Sequence, residues 1–166
     1  MNLDGGVHRV PLDAEGELWI CGKHAIAPDA AELARRIGVN GRPWHVVCLV
    51  ERHELADRYP DYVRWLETGA DSTWFPIHDL SSPSLADVVN LYDAVWSRIL
   101  HGDVVVAHCA AGMGRAGTLA VAVCVLSGMS LDESLDHVRR HRPGAGPEVG
   151  SQRDVVVELA RSVGRD

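Results

Sequence analysis

Two kinds of apolar pattern take turns along the chain: short continuous runs, and longer stripes at helical spacing. Val7 to Leu12 reads as a short edge strand whose pairing Pro11 limits. Glu17 to Gly22 reads as a strand ending on glycine. Ala27-Pro28-Asp29 leads into a helix from Ala30 to Ile37, with Leu33 and Ile37 on one face and Gly38 as its stop. Trp44 to Val50 is apolar except at His45, the pattern of a central parallel strand, and a charged loop, Glu51-Arg52-His53-Glu54, follows it. Pro60 suits the first turn of a helix running to Thr68 and stopped by Gly69. Ser72 to Ile77 reads as a short strand. Ser84 and Asp87 form a capping box that opens a long helix ending at Gly102, with Leu85, Val88, Val89, Tyr92, Val95, Trp96 and Ile99 on its stripe.

The second half is simpler. Val104 to Ala107 is a buried strand, and Ala116 to Leu126 a small-residue, apolar helix. Ser130 and Glu133 form a capping box for a helix to about His141. Arg142 to Pro147 is a loop, and a last helix from Gln152 carries Val155, Val156, Leu159 and Val163. Strands alternating with helices, then a run of helices, predict an α/β fold. The expectation is one domain over residues 1–166: a central, mostly parallel sheet flanked by helices on both faces.

Composition narrows the partners. With 166 residues and 46% apolar content, the chain can build one real core. A net charge of −7 argues against nucleic acid, which needs a basic face, and against anionic membranes. No apolar run approaches a bilayer span or a leader, so a cytoplasmic location is expected. Lys23 is the only lysine, and with abundant Ala, Val and Gly this hints at a GC-rich bacterial genome. Cys21, Cys48, Cys109 and Cys124 show no paired spacing, and the nine histidines form no Cys/His cluster. Neither a disulfide framework nor a metal cofactor is implied.

The chemistry concentrates at His108-Cys109-Ala110-Ala111-Gly112-Met113-Gly114-Arg115, between a strand and a helix. A helix start leaves backbone N–H groups unpartnered, and Gly112 and Gly114 let the loop curl so that those donors converge on an anion. Ala110, Ala111, Gly112, Met113, Gly114 and Arg115 are therefore the candidate phosphate-binding residues. Arg115 adds a planar fork of donors, and Cys109 sits beneath as a nucleophilic sulfur. Attack on phosphorus, giving a phospho-cysteine, is the chemistry this arrangement suits.

Cys109, five residues, then Arg115, with His108 before them, resembles the signature loop of the protein tyrosine phosphatase superfamily. Ala-Gly-x-Gly-Arg looks most like its compact dual-specificity branch. The resemblance implies the same fold, no cofactor, and catalysis by Cys109 and Arg115 with an acid on a mobile loop about thirty residues earlier. Asp79, in Phe75-Pro76-Ile77-His78-Asp79-Leu80, meets that spacing, and His78 is its positional rival. His108 is expected to support the loop. Gln152, after Arg142-Pro143-Gly144-Ala145, resembles the family's water-positioning amide. Glu51 and Arg52 read either as a brace or as a solvated pair.

The sequence departs from the commonest family pattern at Ala116, where most members carry a hydroxyl that helps the cysteine leave. Alanine cannot donate, which predicts a slow second step; Thr118 is a conceivable substitute hydroxyl. The expected function is a metal-independent phosphatase of phosphoprotein, acting on phosphotyrosine and, in a shallow cleft, on phosphoserine and phosphothreonine. The alternatives are a phosphatase of phosphoinositide, RNA 5′-phosphate or glycan, and a slow-turnover phosphate-binding regulatory module.

Overall fold

The computed structural model describes residues 6–166; the first five residues of the expected domain lie outside the described residues. Five strands form one sheet in the order β1-β2-β5-β3-β4. They are β1 (His8–Val10), β2 (Glu17–Gly22), β3 (Trp44–Cys48), β4 (Ser72–Trp74) and β5 (Val104–Cys109). Only β1 runs antiparallel, at the edge beside β2. The other pairs are parallel, with Cys21 and Cys48 both opposite His108. Every residue of β5 is buried, as a central strand covered on both faces must be.

Two groups of helices cover the sheet. Helices α4 (Leu85–Leu100), α5 (Arg115–Ser127), α6 (Leu131–His141) and α7 (Gly150–Ser162) pack on one another, with α5 at their centre. Residues 115–125 of α5 are all buried, so its stripe wraps the whole helix rather than one face. Helices α1 (Lys23–Ile26) and α3 (Pro60–Thr68) pack on β2 and β4, with α2 (Ala30–Arg36) against α1. Ser130 and Glu133 close both halves of the capping box before α6. At Ser84 only one half forms: its hydroxyl accepts from Asp87 N–H. Aspartate is one methylene shorter than the glutamate that completes such boxes.

Three details differ from the pattern. The charged stretch after β3 is a tight helical turn, Arg52–Glu54, with its own capping box between Glu51 and Glu54. Regular pairing of β4 stops at Trp74, but Phe75 N–H still donates to Cys48 O and Ile77 N–H to Leu49 O. That extension carries the 77–81 loop to the end of β3. The turn α1, Lys23-His24-Ala25-Ile26, is too short to show a period in the sequence. No helix among the described residues is long and apolar enough to cross a membrane.

Candidate active site

β5 and α5 meet at the carboxyl edge of the sheet, and the seven residues Cys109–Arg115 turn between them. Gly112 has φ +73°, and a Cβ there would lie 2.5 Å from the Cys21 carbonyl carbon. Only glycine satisfies both the left-handed backbone and this approach to β2. At Gly114 a Cβ would run into the Glu148 carboxylate. The loop is tied down from three sides. Lys23 N–H donates to Ala110 O at 3.1 Å, and Gly146 N–H to Met113 O at 3.1 Å. Arg142 donates through Nε to Gly112 O at 3.0 Å and through Nη2 to Ala111 O at 2.8 Å. With these carbonyls held outward, the loop's N–H groups are left to face the other way.

Arg115 is the best-fixed side chain of the site. Its Nη1 and Nη2 each donate to one Glu54 oxygen at 2.8 Å, a two-pronged pair with Arg115 1% and Glu54 12% exposed. Nη1 also donates to Ile77 O at 2.8 Å. Burial by itself would push the Glu54 carboxyl up and the Arg115 guanidinium down. Each charge outweighs that for the other, so Glu54 lies below its ordinary value and Arg115 above it. Glu54 is in turn held by Glu51 N–H, while Lys23 Nζ donates to its carbonyl oxygen. Arg115 Nε is buried with no hydrogen-bond partner among the described residues.

The structure brings the sequence candidates together around this guanidinium. Asp79 Oδ1 lies 3.4 Å from Arg115 Nη2, on a side chain 63% exposed. Leu80, next to it, holds φ +54°, so the loop tip adopts a conformation that costs a leucine about 1 kcal/mol. His78 turns away and meets Glu51 Oε2 at 3.1 Å. Gln152 is 1% exposed. It accepts from Glu148 N–H at 2.8 Å and donates to Ser81 O at 3.3 Å, so it links the late loop to the loop of Asp79. Thr118 is spoken for: its hydroxyl donates to Gly114 O at 2.7 Å inside α5. The substitute role for Ala116 therefore has no geometric support. Arg52 pairs with Glu67 and lies over Trp74, away from Arg115.

His108 is fully buried beneath the loop. Its Nδ1 lies 3.4 Å from Cys109 O and its Nε2 2.8 Å from Tyr62 Oη. A carbonyl only accepts, so Nδ1 carries the proton and Nε2 receives the Tyr62 hydroxyl. Burial pushes the imidazole down to about 4 and the Tyr62 phenol far up, so both stay neutral. Cys48 and Cys124, pushed up by burial to about 12, are inert packing. Glu51, His53 and Glu54 place ligand atoms within 4.8 Å of one another, but Glu54 already gives both oxygens to Arg115.

A family model, Tc-R-P, described as "Polymorphic toxin system, DSP-PTPase phosphatase", matches residues 23–129, well over half of the chain. The chain belongs to this DSP-PTPase family. The match begins at α1 and takes in the Glu54 turn, the Asp79 loop and the whole Cys109–Arg115 loop. Among solved structures, the active form of Tk-PTP is 32% identical with a TM-score of 0.70, over 92% of this chain and 96% of that one. Kinase associated phosphatase, KAP, shares the fold at 16% identity and a TM-score of 0.73, over 96% of each chain. The Arabidopsis thaliana "Phosphatidylinositol 3,4,5-trisphosphate 3-phosphatase and protein-tyrosine-phosphatase PTEN1" is 35% identical over 86 residues. That match takes in 49% of this chain and 21% of the relative, so the chain spans about a fifth of that protein's length.

Two residues that hold this candidate site, Glu54 and Tyr62, carry no local signal of it in the sequence. Glu54 stood in a charged run that reads as solvent-facing, and Tyr62 on a helix whose apolar stripe reads as core. Only the convergence of β3, α3 and β5 at one sheet edge gives them their partners.

Proposed function

We propose that the chain is a cysteine-dependent protein phosphatase that hydrolyses phosphotyrosine and, more slowly, phosphoserine and phosphothreonine. The observation that carries this is Arg115: clamped by Glu54, 3.4 Å from Asp79, and with a buried Nε free at the rim of the Cys109 loop. A phosphoryl oxygen seated on the loop supplies the acceptor that Nε lacks. The loop N–H groups take the remaining oxygens.

In the first step Cys109 sulfur bonds to phosphorus and the ester P–O bond breaks, with Asp79 protonating the departing oxygen. In the second step Asp79 takes a proton from water. That water attacks phosphorus, the S–P bond breaks, and inorganic phosphate leaves. Gln152, held at the joint of the late loop and the Asp79 loop, orients that water. Ala116 offers the departing sulfur no hydroxyl, and Thr118 is turned to Gly114, so the second step limits turnover.

Hydrolysis of a small aryl phosphate under excess chelator tests this, with the early time course resolved. Wild type gives a burst and a slow steady rate, Cys109→Ser gives neither, and Asp79→Ala slows the burst about 10²-fold or more. Chelator-sensitive activity, or activity that survives Cys109→Ser, overturns the reading. A folded protein that binds vanadate with no burst and no turnover leaves a phosphate-binding module.

One observation favours a second substrate class. Lys23, His24 and Arg142 line a cleft of about 510 Å³ that continues from Ala110 and Ala111. A phosphoester carrying further anionic groups, as a phosphoinositide does, would place them there. Lys23→Ala separates the two by the ratio of kcat/KM on the multiply charged and the simple ester: the ratio falls if the multiply charged class is the substrate, and stays constant if Lys23 acts only by holding Glu54 O.

A further inference from the structure

Away from Cys109, the joint between α1–α2 and α3 leaves a cavity of about 250 Å³. Its floor is aromatic: Trp44, Tyr62 and Trp65. Trp65 stacks on Trp44 at 6.2 Å and on Tyr62 at 5.6 Å between ring centroids. The opposite wall is small, Ala27, Pro28, Ala30 and Ala31, which is why space remains. The polar lining is two carboxylates, Asp29 and Asp61, and among the described residues no Lys, Arg or His lines the cavity. Asp61 is shared with Arg64 at the rim. Asp29 caps α2 by accepting from Glu32 N–H with one oxygen.

Aromatic faces with carboxylates, and no basic side chain in the lining beyond Arg64 at the rim, select a positively charged organic group of modest size. The floor also reaches the catalytic loop, because Tyr62 is the residue whose hydroxyl holds His108 Nε2 at 2.8 Å. We propose that this cavity binds a small organic cation of the alkyl- or arylammonium class. Its occupancy acts on Cys109 through Tyr62 and His108. A cation seated on Trp65 orders the stacked rings, holds the Tyr62–His108 bond closed, and restricts the loop in which Cys109 is 2% exposed. The proposal is independent of which phosphoester the enzyme cleaves.

The test uses choline and its uncharged isostere 3,3-dimethyl-1-butanol as probes of the full chain. Two of the five tryptophans line the cavity, so quenching of tryptophan fluorescence reads binding. Choline is expected to saturate at a concentration about tenfold or more below the isostere. Asp29→Asn keeps a competent helix cap but removes the charge, and weakens choline about threefold or more. Ala30→Leu fills the space and abolishes binding; a folded Ala30→Leu protein that still binds sinks the site. Equal binding of choline and isostere, or no saturation by choline, overturns the cation assignment.

The link to Cys109 is read without any turnover, as the rate of alkylation of Cys109 by iodoacetamide, followed by peptide mass. Saturating choline is expected to slow it twofold or more in wild type and to leave it unchanged in Tyr62→Phe, which keeps the ring but not the hydroxyl. Binding with no change in wild-type alkylation, or an equal change in Tyr62→Phe, overturns the coupling. Failure of the phosphatase reading would show in the aryl phosphate assay and leave both of these measurements standing.

Discussion

Tyr62 Oη and His108 Nε2 stand 2.8 Å apart in the core, joining α3 to β5 at the residue directly before Cys109. Both groups are neutral and both are out of water, so among the described residues this bond is the one partner of His108 Nε2. Tyr62→Phe leaves that nitrogen buried and unpaired, at about 1–2 kcal/mol of stability. It also frees the imidazole to rotate beneath the loop. A fall of about tenfold in kcat on an aryl phosphate, with KM little changed, is expected from such misplacement of the nucleophile. Lower stability with unchanged kcat would assign Tyr62 to the core alone.

Glu54 makes Arg115 usable. A guanidinium 1% exposed would otherwise rotate toward any available acceptor, and Ile77 O is one at 2.8 Å. Glu54→Gln removes the charge and at least one of the two parallel bonds. The expected cost is about 2–4 kcal/mol of stability, since it strands a buried cation, and kcat/KM falls about 10²-fold. Glu54→Asp, with the charge but a shorter reach, falls between. Denaturant midpoints and steady-state kinetics on the same preparations check both numbers, and full activity in a folded Glu54→Gln protein refutes the clamp.

How far the sequence carries is shown by these two partners. The Cys109–Arg115 loop, the carboxylate at Asp79, the supporting place of His108 and nearly every helix are local patterns, set by spacing, caps and glycines. The order β1-β2-β5-β3-β4, with β1 antiparallel at its edge, is set by no local pattern, since it depends on which strands meet across the sheet. Glu54 and Arg115 are 61 residues apart, and nothing in Glu51-Arg52-His53-Glu54 says which of four charged or titratable residues turns inward. The capping box from Glu51 to Glu54 decides it by fixing the turn. Arg142 is similar: in sequence it begins a Pro/Gly loop, and in space it grips the carbonyls of Ala111 and Gly112.

Ala116, fully buried one residue beyond Arg115, carries the clearest kinetic prediction. Restoring a hydroxyl with Ala116→Ser gives the departing Cys109 sulfur a donor. The steady rate is expected to rise about three- to tenfold while the burst shrinks, as hydrolysis of the phospho-enzyme catches up with its formation. Serine adds one oxygen to a dry position, so a loss of about 1 kcal/mol in stability accompanies the gain. Rapid-quench time courses separate the two steps. A steady rate that stays the same or drops in a folded Ala116→Ser protein removes the hydroxyl from the account of turnover.

Two buried imidazoles set the acid side of the stability profile. Burial holds His108 down to about 4, and His45, whose Nε2 lies 2.7 Å from Thr73 Oγ1, is likewise held down to about 4 by burial. In the unfolded chain each returns to about 6.5, so the unfolded state binds more protons throughout the window between those values. Stability from this source is therefore complete above about pH 6.5 and is lost as pH falls toward 4. His108 alone contributes about 3 kcal/mol over that range. Glu54 adds a loss with the same sign at lower pH, since its folded value is depressed below the ordinary 4.5. Urea midpoints between pH 7.5 and 4.5 are expected to fall steadily, with a visibly shallower slope in His108→Gln. Equal slopes in the two proteins would mean that His108 is not held neutral in the fold, and the tautomer that seats it on Tyr62 would have to be given up.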